Sequence, residues 1–339
     1  MENSHNSKRL LIYTPTLKHD DPVFGFSVNW MAEFAKQAGP LVLISRYVDE
    51  SDVPAGSIGV ALGKAWLPRV LKIWHSAFKH RKKYDAVFVH MSPEVVLAGW
   101  PIWFVLRKPI YLWYAHGAIP LALKLAEPLV KLIFASSETG LRLPTPKARF
   151  VGQGIDTALF KPDSEVKKEN IIITVSRITP AKKYEDSLEF LAKYKEKYPE
   201  DQWVYEIIGP SLGHEDYVQS LNQKAEQLGL AERFRILPAM EYERLPDVYQ
   251  RAKLFLSTSQ TGSIDKVVLE ALACGVPVIA RGEGYQQIKG VISYEFILDD
   301  FSKMHDILFT VATHHVGKLE VEEKHSLCRL VKVILNKIT

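Results

Sequence analysis

The sequence predicts an α/β protein built from two doubly wound parallel sheets in series, and three observations carry that prediction. Apolar runs of strand length alternate with helical stretches from the first residues to the last. The alternation breaks once, at 160–170 (FKPDSEVKKEN), a polar, Pro-containing interval that reads as a linker and after which the pattern restarts. At 339 residues the chain is too long for one average domain and comfortable for two, each with its own core.

The elements follow in order. Residues 9–13, 41–45, 86–90, 109–115 and 132–136 are short apolar runs and read as buried strands. Between them, 27–37, 67–80, 93–106 and 119–128 read as helices. A sheet wound this way meets its ligands at the carboxyl ends of the strands. Past the linker, strands are expected at 171–175, 203–208, 233–237, 254–257 and 276–280. Helices are expected at 184–197, 214–228 and 245–250, with another carrying Glu270 between the last two strands. The closing segment, 321–338, is amphipathic and basic. The most apolar stretch, 95–106, is broken by Pro101 and falls short of the ~20 residues a membrane span needs, so a buried helix is expected there.

Composition is that of an ordinary globular protein, 47% hydrophobic and 24% charged, with no low-complexity tract. Two distant cysteines, Cys274 and Cys328, give no disulfide framework, and Cys274 reads as a small buried residue. The opening MENSHNSKRLLIYTPT lacks the plan of a secretory signal, so a cytoplasmic protein is expected. The net charge of +4 conceals an asymmetry. Residues 1–150 carry 19 Lys and Arg against 11 Asp and Glu, and the remainder 24 against 28, so the two halves are expected to meet different partners. Nothing points to nucleic acid.

The stretch 254–280, LFLSTSQTGSIDKVVLEALACGVPVIA, is the most informative. It reads as strand, Gly/Ser/Thr loop, helix, turn and strand. Such a loop leaves backbone N–H groups at the positive end of a helix dipole, which suits a phosphate. Glu270 sits inside the helix between apolar neighbours, either as a charge turned to solvent or as a carboxylate accepting hydrogen bonds from sugar hydroxyls. Asp265 reads as a cap for that helix, with a ligand contact by Asp265 or Lys266 as the alternative. Upstream, Arg177 and Lys182 follow the first strand of the second domain, five residues apart, where a planar fork and a mobile point charge can neutralise a diphosphate from two sides. His116 ends an apolar strand, as a packed loop residue or a ligand contact. Gly25 precedes the first helix, where backbone can approach a ligand. No D-x-D near a strand end and no His/Cys cluster with ligand spacing is present, so no metal is expected. Finally, Leu67, Val70, Leu71, Trp74 and Phe78 form an apolar stripe accompanied by Arg69, Lys72, Lys79, Arg81, Lys82 and Lys83. It fits a helix resting on an anionic membrane surface or a core-facing helix with a solvated basic end.

The 254–280 stretch resembles the signature of glycosyltransferase family 4, retaining enzymes of the GT-B plan (glycosyl transferases group 1). Leu269, Glu270, Ala271, Ala273, Gly275, Pro277, Val278, Ile279 and Ala280 match L-x-E-A-M-A-x-G-x-P-V-I-A. Gly262 stands where the first glutamate of the family's E-x7-E spacing belongs. Ser176, Arg177, Ile178 and Lys182 resemble G/S-R-L-x-x-x-K, with Lys183 where glycine is frequent. Residues 151–162 resemble N-G-V-D-x-x-x-F-x-P and read as a hinge lining the cleft.

The resemblance implies two Rossmann-like domains facing a central cleft. These are an acceptor-side domain at 1–160, a nucleotide-sugar domain at 161–318, and a helix at 319–339 packing back toward the first. It implies a retaining transferase moving sugar from a nucleoside diphosphate sugar to an acceptor hydroxyl of a polysaccharide, glycolipid or lipid-linked oligosaccharide. Arg177 and Lys182 would hold the leaving diphosphate, Glu270 the donor ribose and His116 the sugar. Gly25, Gly262, Ser263, Ile264, Asp265, Lys266, Val268 and Leu237 would complete the donor site, the nucleobase being read through backbone near Leu237. Two rivals are a non-catalytic nucleotide-sugar-binding partner of another transferase and a GT-B sugar-nucleotide epimerase.

Overall fold

The computed structural model describes residues 8–259, 263–286, 288–299, 301–309 and 315–338. The chain divides into two compact units, one formed by residues up to Gly154 together with those from Ser326 onward, the other by Ile155–His325. The divisions therefore fall at 154/155 and 325/326, against the expected 160/161 and 318/319.

In the first unit the chain runs β1 (Leu10–Thr14), α1 (Ser27–Ala38), β2 (Val42–Ser45), β3 (Ile58–Ala61), α2 (Trp66–Lys79), β4 (Ala86–His90), α3 (Pro93–Val105), β5 (Ile110–Trp113), α4 (Leu121–Ala126), β6 (Leu132–Ala135) and β7 (Ala148–Phe150). Among the described residues these strands make one parallel seven-stranded sheet, ordered β3-β2-β1-β4-β5-β6-β7. Strand order reverses between β1 and β4, so the carboxyl ends of those strands are where a ligand crevice forms. The inner strands β1 and β4 are buried at every position, which is why they read as continuous apolar runs. Edge strand β3 alternates half-buried and exposed, and β7 is short and outward, so neither announces itself in the sequence.

One face of this sheet is covered by α2, α3 and α4, whose Ile73, Ala77, Val96, Trp103 and Leu123 share a core with Leu11, Val87 and Leu112. In α3 the Trp103 ring lies over Gly99, where an added Cβ would meet it at 2.2 Å. The helix continues through Pro101. The structure corrects one of the two readings of α2. Its stripe of Leu67, Leu71, Trp74 and Phe78 is exposed, and the helix turns Ile73 and Ala77 to the core instead.

The second unit runs β8 (Ile171–Val175), α5 (Tyr184–Lys197), β9 (Val204–Ile208), α6 (Glu215–Gln227), β10 (Phe234–Leu237), α7 (Leu245–Arg251), β11 (Leu254–Ser257), α8 (Lys266–Ala273), β12 (Val278–Ala280), β13 (Val291–Ser293), α9 (Tyr294–Asp299), α10 (Ser302–Phe309) and α11 (His315–Glu320). Its parallel sheet is ordered β10-β9-β8-β11-β12-β13 among the described residues, the doubly wound order with its switch between β8 and β11. β13 and helices α9 to α11 went unread in the sequence, each being three to eight residues long with little periodicity to count.

After a π-helical turn at Val321–His325, α12 (Leu327–Lys337) joins the first unit. Its Leu330, Val331 and Ile334 pack with Trp30, Met31 and Phe34 of α1 on the sheet face opposite α2. Gly154 adopts φ +73°, and a Cβ there would meet Leu330 and Trp30 at 2.5 and 2.6 Å, so only glycine fits.

Candidate functional site

The switch point of the second unit holds a small cavity lined by Thr174, Ser176, Lys182, Ser257, Ser259 and Asp265 among others. Its walls follow from local sequence. β8 is buried at all five positions and leads directly into Ser176 and Arg177. Gly209, just past β9, passes so close to Ser176 that an added Cβ would lie 2.0 Å from its carbonyl oxygen. A 3₁₀ turn at Pro180–Lys182 then leads into α5 through Lys183, which sits in the left-handed region at φ 56°. Thr258 pins this turn, its hydroxyl donating to the Lys183 carbonyl at 2.8 Å.

The pinning decides which lysine points inward. Lys182 is only 9% exposed, its Nζ 2.8 Å from Asp265 Oδ2 and 3.3 Å from Ser259 Oγ. Lys183 is exposed and its Nζ lies 3.8 Å from Glu185. Arg177 is exposed as well, and among the described residues its guanidinium has no ion-pair partner, while its carbonyl accepts from Tyr184 Oη at 3.1 Å. A buried ammonium ringed by serine and threonine hydroxyls is suited to an oxyanion.

Asp265 stands at the N-cap of α8, yet its side chain makes no capping hydrogen bond. This corrects the expected role: the carboxylate is spent on Lys182 and not on the helix. The backbone N–H of Asp265 donates to Tyr285 Oη at 3.1 Å, and burial, reinforced by the Asp265 charge, pushes the Tyr285 phenol well above its usual pKa.

Glu270 does not face solvent, which corrects the other expectation for this helix. It is 1% exposed, and its two oxygens accept from Tyr242 Oη at 3.1 Å and Tyr249 Oη at 3.2 Å. Burial raises its pKa, opposed by the positive Lys266 one turn before it and by the two tyrosines. Burial likewise pushes Lys266 down to about 8, against the pull of Glu270 and Asp156. The edge of Phe160 packs on both tyrosine rings at 5.2 and 5.9 Å. Neither tyrosine was singled out in the sequence. Their seven-residue separation, which puts both on one helical face, was the available signal.

The structure thus groups the second-unit residues in two clusters, Lys182 with Asp265 and Lys266 with Glu270. Ser263 is half-buried, whereas the Ile264 and Val268 side chains are part of the core. Leu237 ends β10, its carbonyl accepting from the Gly209 N–H at 3.3 Å. Gly262 lies outside the described residues. In the first unit, His116 is exposed past β5, its Nδ1 accepting from the Ala118 N–H at 3.1 Å, which leaves the proton of the neutral ring on Nε2. Gly25 is buried, and a Cβ there would meet the carbonyl oxygens of His19 and Asp21 at 2.5 and 2.9 Å, so this turn admits no side chain. Among the described residues no group of three or more His, Cys, Asp or Glu side chains is placed to hold a metal ion.

Residues 156–292 match the family described as Glycosyl transferases group 1. Among curated proteins the chain is similar to the D-inositol 3-phosphate glycosyltransferase of Acidothermus cellulolyticus, 26% identical over 150 residues that cover 41% of this chain and 34% of that protein. It is also similar to the one from Mycobacteroides abscessus, 32% identical over 143 residues that cover 40% of this chain and 31% of that protein. The chain therefore spans about a third of the length of these curated relatives. Among solved structures, Anabaena Alr3699/HepE in complex with UDP-glucose is similar with a TM-score of 0.76 at 17% identity, over 98% of this chain and 99% of that one. That likeness establishes the fold, two Rossmann-like units of the GT-B class.

Proposed function

We propose, from the match of residues 156–292 to the glycosyl transferases group 1 family, that this chain is a retaining glycosyltransferase. It moves a sugar from a nucleoside diphosphate donor to a hydroxyl of a glycan or lipid-linked acceptor. The observation that carries the reading is the buried Lys182 ammonium at the sheet's switch point, 2.8 Å from a carboxylate that a diphosphate would displace. Breaking the anomeric bond builds negative charge on the leaving phosphate, and a fixed cation there is worth more in the transition state than before it. Arg177, exposed beside the same strand end, supplies the second positive group. Glu270, held by Tyr242 and Tyr249, takes the donor ribose as acceptor of its hydroxyl hydrogens. His116 is assigned to the sugar through its Nε2, the backbone of Ser263 and Ile264 likewise to the sugar, and the Leu237 backbone to the base. No metal is required where lysine and arginine neutralise the diphosphate. Because a fold neighbour was crystallised with UDP-glucose, a uridine donor is the first probe.

Transfer and donor hydrolysis across a panel of UDP-, GDP- and ADP-sugars test the reading. Lys182→Ala should lower kcat about 10²–10³-fold, and the product should keep the donor's anomeric configuration. Undiminished turnover in Lys182→Ala and Arg177→Ala would overturn it, and an inverted product would remove the retaining assignment. Donor binding without turnover on any acceptor would favour a non-catalytic binding partner.

A further inference from the structure

A second surface, on the first unit, has a chemistry of its own. Leu67, Leu71, Trp74 and Phe78 recur at the spacing of one helical stripe along the outer side of α2, and all four are exposed, Leu67 by 76% and Leu71 by 67%. The opposite side of the same helix is already satisfied, with Ile73 and Ala77 in the core. Phe104 and Val105 at the end of α3 and Leu121 and Leu125 on α4 are exposed too, on helices of the same layer. Single exposed apolar residues are ordinary, but a helix layer carrying eight of them presents a patch that marks a partner.

The charges around the patch indicate which partner. No Asp or Glu occurs between Asp52 and Asp85, a span that holds seven Lys and Arg. None occurs between Glu94 and Glu127, which holds three. The cations Lys79, Lys82 and Lys83 are exposed at the end of the α2 stripe, and Arg81 sits over the Phe78 ring at 4.2 Å. Trp74 is fixed by donating its Nε1 hydrogen to the Ala98 carbonyl at 2.7 Å. Exposed tryptophan and leucine beside lysines, with acids only at the helix ends (Glu94 in the first turn of α3, Asp85 past α2 and Glu127 past α4), is the composition of an interfacial surface, the apolar groups entering the acyl boundary while cations meet phosphates.

We propose that the outer face of the α2–α3–α4 layer docks this protein on an anionic lipid bilayer. Among the described residues no helix is long and apolar enough to cross a membrane, and an exposed apolar stripe with cations at its end is suited to the interface. The proposal stands independently of the transferase reading.

Co-sedimentation of the full chain with vesicles tests it. The chain should pellet with phosphatidylglycerol/phosphatidylcholine vesicles, much less with phosphatidylcholine alone, and less as salt rises. Neutralising Lys79, Lys82 or Lys83 to alanine should weaken partitioning about fivefold per charge. Leu67→Ser/Leu71→Ser should abolish it without lowering the melting temperature, since both side chains are already in water. Lys193→Ala/Lys332→Ala, which removes charges elsewhere, should bind as the parent does. Equal binding to neutral vesicles, or undiminished binding by Leu67→Ser/Leu71→Ser, would overturn the proposal. So would a vesicle-free dimer that the leucine variant converts to monomer, which would assign the face to a second copy.

Discussion

A lysine buried at a strand end needs an anion, and in this chain Asp265 supplies one at 2.8 Å. If that carboxylate competes with a diphosphate for Lys182, Asp265→Asn should tighten UDP binding about tenfold by calorimetry, and unchanged or weaker binding would remove the competition. The neighbouring lysine makes a separate prediction. Lys183 holds φ 56° with its amine in solvent, so Lys183→Gly should stabilise the second unit by ~1 kcal/mol in urea melts and leave donor affinity unchanged. The resemblance expected glycine there, and the left-handed backbone is the reason. On α8, Lys266 is pushed down to about 8 from 10.5 by burial. A base whose folded pKa is depressed costs stability below that value, and the cost is relieved as pH rises toward the unfolded pKa. Urea melts of the parent and of Lys266→Met should therefore diverge as pH rises from about 8 toward about 10.5, the lysine form gaining on the methionine form. Parallel curves would show that the amine is solvated. Arg177, Lys182 and Glu270 were singled out in the sequence because charge at a strand end or inside an apolar helix is conspicuous and because they fall on the family resemblance. Their partners were less so: Tyr242 and Tyr249 reach Glu270 across 28 and 21 residues, and only the fold brings them there.

Among the elements, legibility followed burial. Strands such as β1, β4, β8 and β11, covered on both faces, read as unbroken apolar runs. Of the four edge strands, β3, β7 and β13 carry half-exposed residues and were not anticipated, whereas β10 was. Helix α2 left two readings open, because it is apolar on two sides and periodicity alone cannot say which side is inward. The structure decides through Ile73 and Ala77, both fully buried. Ile73→Ala should cost about 2–4 kcal/mol of first-unit stability, as for other core truncations, while Leu71→Ala should fall within ~0.5 kcal/mol of the parent. Denaturant midpoints showing the reverse order would mean that the stripe, and not Ile73, is what this helix packs with.

At the scale of the whole molecule, the chain leaves the first unit at Gly154 and returns to it at Ser326, so the last helix completes the domain that the first residues begin. Sequence reading anticipated a returning helix only by resemblance, because an amphipathic, basic segment does not state which sheet it covers. In the structure Leu330, Val331 and Ile334 are fully buried against α1 and the β-sheet of the first unit. At about 1.5–3 kcal/mol per fully buried aliphatic side chain, these three contribute ~5–9 kcal/mol, as much as the ~5–15 kcal/mol that separates a folded domain from an unfolded one. Deleting the segment from Ser326 onward should therefore unfold or loosen the first unit and spare the second, whose core contains none of its residues. Hydrogen exchange resolves the two outcomes: amides of β1, β4 and α1 should lose protection in the truncated chain, while those of β8, β11 and α8 keep theirs. Loss of protection in both units together would show that the helix supports the second unit as well, and no loss in either would mean that α1 and the sheet hold without it. A milder variant, Leu330→Ala, should move in the same direction by about 2–5 kcal/mol. It should lower the first thermal transition alone, because the contacts it removes, with Trp30 of α1 and the Gly154 turn, all belong to one unit.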